Sequence, residues 1–466
     1  MMIKELTKMN IDEVSPLIEQ KKLSPTELVK HTLEKISNEN SNTNSFITVC
    51  SEKALKAAED LEKELVEGKV RSKLHGVPIA LKDLIFTKGI RTTMGSKLYK
   101  DFIPDTNATI VEKLENAGAI IIGKVNTHEF AYGPTGDRSY FGSCLNPYDS
   151  SKITGGSSSG SAASVGAGLV NLSVGTDTGG SIRIPSSACG TVGMKPTFGL
   201  VSKKDVHALS YTQDHVGPIT RTVKENALLL NVLAGYDPND PYSLNMEIQD
   251  YSSLIGIDIK GMVIGIPSFC LQSLEGEVHQ MFSKCIEVCE HLGAKVTEVN
   301  IVNIDDIREI SHAQSITIQF EASSIHAHTL RKHQKSIDAE VYERLKASQL
   351  VKAHEYVYVQ SKKRELIYKY NQVFNHVDVL LTPTLPIVPP NIGQREVTIN
   401  GKVESVRNAL LRLTAPTNFT GNPSLSLPVG LSKDGLPMGL QLISKHGTEA
   451  KIYQFAYMLE QHFNFA

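Results

Sequence analysis

Two Gly-Gly-Ser units stand close together in the chain. The first is Gly155-Gly156-Ser157, followed by Ser158 and Ser159; the second is Gly179-Gly180-Ser181. Glycine adopts backbone conformations that other residues resist, and it lets a ligand approach the main chain closely. A serine just after two glycines can therefore sit on a sharp turn among free N–H groups, which is what an oxyanion hole requires. The chemistry this suits is attack by a serine hydroxyl on a carbonyl. A serine hydroxyl is a weak nucleophile and needs a base. No histidine lies between His128 and His207, so the base must come from elsewhere. The run Gly76-Val77-Pro78-Ile79-Ala80-Leu81 is strand-like and ends in Lys82. A free lysine has a pKa of about 10.4 and is useless as a base at neutral pH. Burial penalises the ammonium and can lower that value by up to about 3–5 units. Asp83 would oppose the shift if it faced Lys82. Adjacent strand residues point to opposite faces, so Asp83 is expected to turn away.

A flexible Gly/Ser linker would account for one such cluster. It accounts poorly for two clusters separated by a helix–strand pattern and closed by Asp177, Arg183 and Pro185. A lone Lys-Asp pair would be an ordinary strand end. Taken together, G-V-P-I-A-L-K-D, G-G-S-S-S-G-S and G-T-D-T-G-G-S-I-R-I-P resemble the amidase signature family, from about Ser24 to the C-terminus and most strongly from Gly76 to Arg221. The resemblance implies a Ser–Ser–Lys triad with Ser181 as nucleophile, Ser157 as bridging serine after a cis peptide bond, and Lys82 as base. It further implies an oxyanion hole from the backbone of Thr178, Gly179, Gly180 and Ser181, with Ser158, Asp177 and Arg183 in support. Ser159 departs from the glycine common in the family. The implied activity is hydrolysis of a carboxylic amide through an acyl-enzyme, without metal or organic cofactor.

Competing motifs are weaker. Gly156-Ser157-Ser158-Ser159-Gly160 matches G-x-S-x-G, but a nucleophile elbow needs a strand before it and N-P-Y-D-S-S-K-I-T-G reads as loop. Gly118 to Lys124 approximates a phosphate loop, yet Val125 replaces the hydroxyl residue and A-I-I-I suits a strand. Cys285 and Cys289 lie four apart on an expected helix and are read as core thiols. His326 and His328, two apart, point in different directions on a helix. No metal site is expected. Phe130 and Tyr132, in N-T-H-E-F-A-Y-G-P-T-G, could line an acyl pocket or pack in the core.

The elements that must hold these residues follow from periodicity. Ser24-Pro25-Thr26-Glu27 is a capping box with proline at the first helical position, opening a helix to about Asn38. A second helix is expected over Ser51–Glu67, then the strand carrying Lys82, a helix over Thr109–Ala117 and a strand over Ala119–Ile122. Ala162–Gly168 suits a closely packed helix and Leu169–Gly175 a buried strand. Later come a helix over Val223–Ala234, a long surface connection over Asp237–Gly261, a strand over Met262–Ile266, a helix over Glu277–Leu292 and a strand over Lys295–Val299. Residues 304–377 contain no glycine or proline and read as a helical layer. In the family this region is variable and helps shape the substrate entrance. Val379–Pro390 starts as strand, Leu410–Gly421 reads as one helix, and Pro423–Pro428 and Leu436–Ile443 as closing strands.

The expected fold is α/β: one amidase domain over 1–466, a mixed, twisted sheet with helices on both faces plus the helical layer. Within it, 1–70 would be N-terminal helices, 76–221 the signature core and 304–377 the layer. The mixed sheet comes from the resemblance; the pattern alone shows interleaved strands and helices. The 466 residues carry a net charge of −2, which gives no electrostatic pointer to nucleic acid. Six scattered cysteines do not suggest a disulfide framework. The first residues lack a signal-peptide core, and no run of eighteen apolar residues exists. A cytoplasmic enzyme acting on a small amide is expected, with a homo-oligomer open.

The A subunit of the tRNA-dependent amidotransferase, a glutaminase working with partner subunits, is the alternative. Two features stand against it. Ile184 occupies a position where that subgroup usually has glutamine, and His354-Glu355-Tyr356-Val357-Tyr358 replaces a D-A-Y-Y-type motif. A catalytically dead binding protein on the same fold is a third reading, opposed by the presence of all three triad residues.

Overall fold

Residues 9–299 and 304–465 are described by the structure, a computed structural model. Met1–Lys8, the start of the expected N-terminal segment, lie outside them. The strands are β1 (Phe46–Val49), β2 (Pro78–Lys82), β3 (Ile120–Val125), β4 (Leu172–Asp177), β5 (Val192–Lys195), β6 (His215–Thr220), β7 (Val263–Pro267), β8 (Lys295–Val299), β9 (Val379–Pro383), β10 (Glu396–Ile399), β11 (Lys402–Ser405), β12 (Ser424–Leu431) and β13 (Pro437–Ile443). Eleven of them form one sheet in the order β1-β3-β2-β4-β6-β5-β12-β13-β9-β7-β8; β10 and β11 make a separate hairpin. The sheet is mixed: β2 runs parallel to β3 and β4, β7 runs parallel to β8 and β9, and the strands between are antiparallel. Parallel neighbours need crossover connections, and helices supply them.

The helices are α1 (Ile11–Glu19), α2 (Pro25–Thr43), α3 (Ser51–Val66), α4 (Thr109–Asn116), α5 (Ser159–Gly166), α6 (Arg183–Cys189), α7 (Val223–Leu233), α8 (Gly276–His291), α9 (Ile304–Ile325), α10 (Ala327–Lys332), α11 (Ala339–Ser348), α12 (Ala353–Asn371), α13 (Val406–Leu411), α14 (Ala415–Thr420) and α15 (Glu449–Phe463). They cover both faces of the sheet. On one face of β12, Leu425 and Leu427 join a core with Ile452 and Phe455 of α15. On the other, Ser426 lies beside Ser187 of α6, both against Gly439 of β13. Helices α5 and α6 approach so closely that a Cβ on Gly166 would stand 2.5 Å from the Cys189 carbonyl oxygen.

The capping box at Ser24 is formed, with Glu27 N–H donating to Ser24 Oγ at 3.1 Å and Ser24 N–H to Glu27 Oε2 at 2.9 Å. Helix α2 runs past the expected Asn38 to Thr43, because no breaker intervenes before Asn44 takes the left-handed conformation at φ 48°. The helix expected over Leu410–Gly421 is two helices, α13 and α14; Pro416 lacks the N–H that a continuous helix would need there. Strand β3 continues three residues beyond Ile122, and β4 starts three residues later than expected. The connection 237–261 contains no regular element, yet Tyr251 and Ile259 are buried in the core and pin it down.

The helical layer consists of α9 to α12. One side of it packs Ile307, Ile310, Ala313 and Ile316 against Val359, Leu366 and Tyr370, and onto Phe419 of α14. Another packs Ile318, Ala322, Val341 and Leu345 against Phe130, Tyr132 and Leu209. Among the described residues no helix is long and apolar enough to cross a membrane.

Candidate active site

Strands β2 and β4 are parallel neighbours, with Leu81 opposite Val174. Their C-terminal ends therefore deliver Lys82 and Thr176 to the same edge, where ligands gather in open α/β sheets. Lys82 is fully buried. Its Nζ lies 2.7 Å from both Ser157 Oγ and Thr176 Oγ1. Burial lowers its pKa to about 7, against the pull of Asp177 and Asp214, which favours the ammonium. Asp83 turns away, as expected. Its Oδ2 accepts the Thr93 N–H at 2.9 Å and the Thr93 hydroxyl. Burial raises Asp83 to about 6, with Lys124 opposing.

The first Gly-Gly-Ser loop opens α5, which begins at Ser159 rather than Ala162. The Gly156–Ser157 peptide is cis. Ser158 is occupied on every side: its N–H donates to the Ser181 carbonyl at 3.2 Å, and its hydroxyl donates to the Thr176 carbonyl at 3.0 Å and accepts the Thr176 N–H at 3.2 Å. Ser158 thus ties the two loops to β4. Ser159 Oγ donates to the Asn126 carbonyl at 3.2 Å, so the departure from glycine is accommodated inside α5.

The second loop turns on a buried ion pair. Arg183 Nε donates to Asp177 Oδ2 at 3.0 Å and Nη2 to Oδ1 at 3.1 Å. The rest of the guanidinium reaches Asn418 Oδ1, Thr417 Oγ1 and Gln441 Oε1, each at 2.7 Å, and the Thr414 carbonyl at 3.0 Å. Burial pushes the Asp177 carboxyl up, but the Arg183 charge and hydrogen bonds outweigh it and hold Asp177 well below the usual carboxylate range. Asp177 in turn accepts the Gly180 N–H at 2.7 Å and the Ile182 N–H at 3.1 Å.

Outside the loop, Gln314 Nε2 donates to the Thr178 carbonyl at 3.2 Å and Thr414 Oγ1 to the Gly179 carbonyl at 2.7 Å. In a trans peptide the N–H points opposite the carbonyl, so these anchors fix where the following N–H groups aim. The Thr178, Gly179 and Ser181 N–H groups donate to nothing among the described residues. Gly180 is the exception within the expected oxyanion set, because Asp177 takes its N–H. Its φ of +132° and the 2.2 Å gap a Cβ would leave to Thr414 Oγ1 require glycine.

Ser181 is 7% exposed and opens on a cavity of about 40 Å³ lined by Tyr132, Gln314, Ile318, Arg407 and Leu411. A larger cavity of about 330 Å³, bounded by Lys203, Asp214, His215 and Tyr242, shares Ala131, Thr178 and Leu209 with it as common wall. Lys82 and Ser157 are in contact, and Ser158 ties their loop to that of Ser181. No hydrogen bond joins the Ser157 and Ser181 hydroxyls among the described residues. The open alternatives at Phe130 and Tyr132 divide. Phe130 is core, 4.5 Å between ring centroids from His326, whereas Tyr132 faces the Ser181 cavity. Cys285 and Cys289 are buried in the main core. No group of three His, Cys, Asp or Glu side chains able to hold a metal occurs among the described residues.

Sequence reasoning missed Thr176, Gln314, Thr414, Asn418 and Gln441. Thr176 had a usable signal, since its strand register beside Lys82 follows once β2 and β4 are paired. The other four come from α9, α14 and β13, or the turn just before α14, and carry no motif.

Known proteins share this framework. The Amidase family profile matches residues 27–453. The A subunit of glutamyl-tRNA(Gln) amidotransferase from Staphylococcus aureus (strain bovine RF122 / ET3-1) is 36% identical over 98% of this chain and 97% of its own. Among solved structures, a chain of an inhibitor-bound vestigial protein complex, described as revealing the evolutionary origins of an s-triazine catabolic enzyme, superposes with a TM-score of 0.92 at 30% identity, covering 98% of this chain and 99% of the other. A bacterial aryl acylamidase does so with a TM-score of 0.89 at 28% identity, covering 98% of each. The sequence relative bears an amidotransferase-subunit name, while of the two superposed structures one is from a protein complex and the other is an aryl acylamidase. Fold, profile and relatives agree at the level above that division: the chain belongs to the amidase signature family of hydrolases.

Proposed function

We propose that the protein hydrolyses a carboxylic amide with Ser181 as nucleophile, Ser157 as proton relay and Lys82 as base. The observation that carries this reading is the fully buried Lys82 amine, 2.7 Å from Ser157 Oγ and lowered to about 7. Neutral Lys82 takes the Ser157 proton as Ser157 takes that of Ser181. The Ser181 oxygen bonds to the amide carbon, and the carbonyl electrons move to oxygen, facing the N–H groups of Thr178, Gly179 and Ser181. On collapse, the C–N bond breaks and the relay returns the proton to the leaving amine. Water then adds to the ester by the same route and releases the acid. Rotation of the Ser181 hydroxyl toward Ser157 completes the relay. The helices of 304–377 are assigned the substrate entrance, since Gln314, Ser315, Ile318 and Gln319 line the Ser181 cavity.

A serine-reactive fluorophosphonate is expected to label Ser181, read by mass spectrometry of the digest. Labelling of Ser158 with Ser181 untouched would sink the assignment. The pH profile follows from the lysine. Its working form is the unprotonated one and its pKa is about 7, so kcat/KM should climb tenfold per pH unit below about 7 and level off above it. A profile that falls on raising the pH from 6 to 8 would mean that Lys82 acts as an ammonium.

A second reading, the glutaminase subunit of a tRNA-dependent amidotransferase, is favoured by the 36% identity along nearly the whole chain. Glutamine hydrolysis that appears only when partner subunits are co-expressed would establish it; hydrolysis of other amides by the isolated chain would set it aside.

A further inference from the structure

The Ser181 cavity has one charged wall. Arg407, on α13, lines it together with Tyr132, Ile318, Leu411 and Ser181 itself. The arginines near it are all engaged. Arg138 Nε donates to Glu340 Oε2 at 3.0 Å, Arg344 Nη2 to Glu340 Oε1 at 2.9 Å, and Arg395 to Glu340 Oε2 at 2.8 Å and Asp137 Oδ2 at 3.0 Å. Arg344 also donates to the Tyr132 carbonyl. Two carboxylates are thus shared among three guanidinium groups. Arg407, the fourth, makes no hydrogen bond and no ion pair among the described residues. Burial disfavours its charge and Arg344 repels it, with Tyr132 and Glu340 opposing at longer range.

A guanidinium always carries its charge and presents five N–H donors in a planar fork. The Arg407 fork is half-buried and has no protein acceptor among the described residues, so a ligand that displaces water from the cavity must supply one. A ligand that brings a planar, bidentate anion does so, and a carboxylate matches the fork best. Ser181 and Arg407 line the same cavity, so the scissile amide and the carboxylate of one ligand must lie close together, which calls for a short chain. We infer that Arg407 binds a substrate carboxylate and that the enzyme acts on short amides bearing a free carboxylate, such as monoamides of small dicarboxylic acids. The inference rests on Ser181 being the nucleophile, because the same cavity holds both. It adds what that reading leaves open, the chemical class of the substrate. A free α-ammonium group on the substrate is disfavoured by the same excess of positive charge, so glutaramate should be a better substrate than glutamine.

The test compares glutaramate with its neutral isostere glutaramide. The wild-type enzyme is expected to favour glutaramate in kcat/KM by on the order of a hundredfold, the discrimination typical of one desolvated charge pair. Arg407→Met should erase that ratio, mainly through KM for glutaramate; Arg407→Lys, which keeps the charge and loses the fork, should restore part of it. A wild-type ratio near one, or a ratio that Arg407→Met leaves intact, overturns the proposal. Calorimetric binding of glutaramate to the Ser181→Ala protein, with and without Arg407→Met, separates this from the catalytic reading. Binding that depends on Arg407 while no variant hydrolyses any amide would keep the anion site and reject the nucleophile. Hydrolysis of neutral amides without Arg407-dependent binding would do the reverse.

Discussion

Replacing Lys82 by methionine is expected to lower kcat by a factor on the order of 10⁴ to 10⁶, as much as Ser181→Ala, because members of one proton relay fail together rather than additively. The fold should survive. At neutral pH about half of the buried amine is already unprotonated, since burial has brought it to about 7, and a methionine fills a similar volume without a charge to bury. An unfolded lysine binds its proton below about 10.4, whereas the folded one does so only below about 7. Lys82 therefore opposes folding across that window, and its penalty is largest on the acid side. Lys82→Met should accordingly keep its circular dichroism spectrum and lose less stability on acidification from pH 9 to 7 than the wild type. Turnover within tenfold of wild type would remove Lys82 from the mechanism. Ser157→Ala should be severe but less complete, since a water can bridge the gap it leaves.

Arg183→Met is expected to cost more stability than any other single substitution at the site, about 3–5 kcal/mol, because it leaves the Asp177 carboxylate buried and unpaired. The acceptors on Thr414, Thr417, Asn418 and Gln441 lose their donor at the same time. Activity should fall with stability, since Asp177 holds the Gly180 and Ile182 N–H groups and thereby the shape of the Ser181 loop. Urea unfolding followed by tyrosine fluorescence measures this directly. A midpoint unchanged within error would show that the loop holds its shape without the pair. The Asp177 contribution has a pH signature too. Its pKa is depressed in the fold, so the stabilisation is present above about 3.9 and is lost as the pH falls through the folded value.

Much of the candidate site was legible in the sequence because its parts are local. Lys82 ends an apolar run, and Ser157 and Ser181 follow paired glycines, so residue type and immediate neighbours sufficed. The direction of Asp83 followed from strand alternation alone. What remained hidden comes from tertiary placement. Thr414 and Gln441 look like any polar residues beside a short helix and in a strand, and only the assembled sheet brings them to Arg183. The strands β5 and β6 were missed for a different reason. Gly193, Gly217 and Pro218 are poor strand residues. Pro218 lies beyond the short β5–β6 ladder, which pairs only Ile219 and Thr220, and on its other side Gly217 and Pro218 pair with Gly175 and Val174 of β4. Helix lengths erred where the stop signal is a backbone conformation, as at Asn44, rather than a residue type.

The reach of Arg183 also sets an order of events during synthesis. Lys82, Ser157 and Ser181 have all been made when the chain is well under half its length, but the Arg183 contact to Gln441 spans 258 residues. At about 5–20 residues per second, the growing chain waits roughly 13–50 s between the two. For most of that interval the Ser181 loop lacks the α14 side chains, and for all of it the β13 side chain, that hold Arg183. The nascent polypeptide thus carries Ser181 through most of translation in an unassembled state, and a product that terminates before Gln441 holds every residue of the proposed relay without the full frame that aligns them.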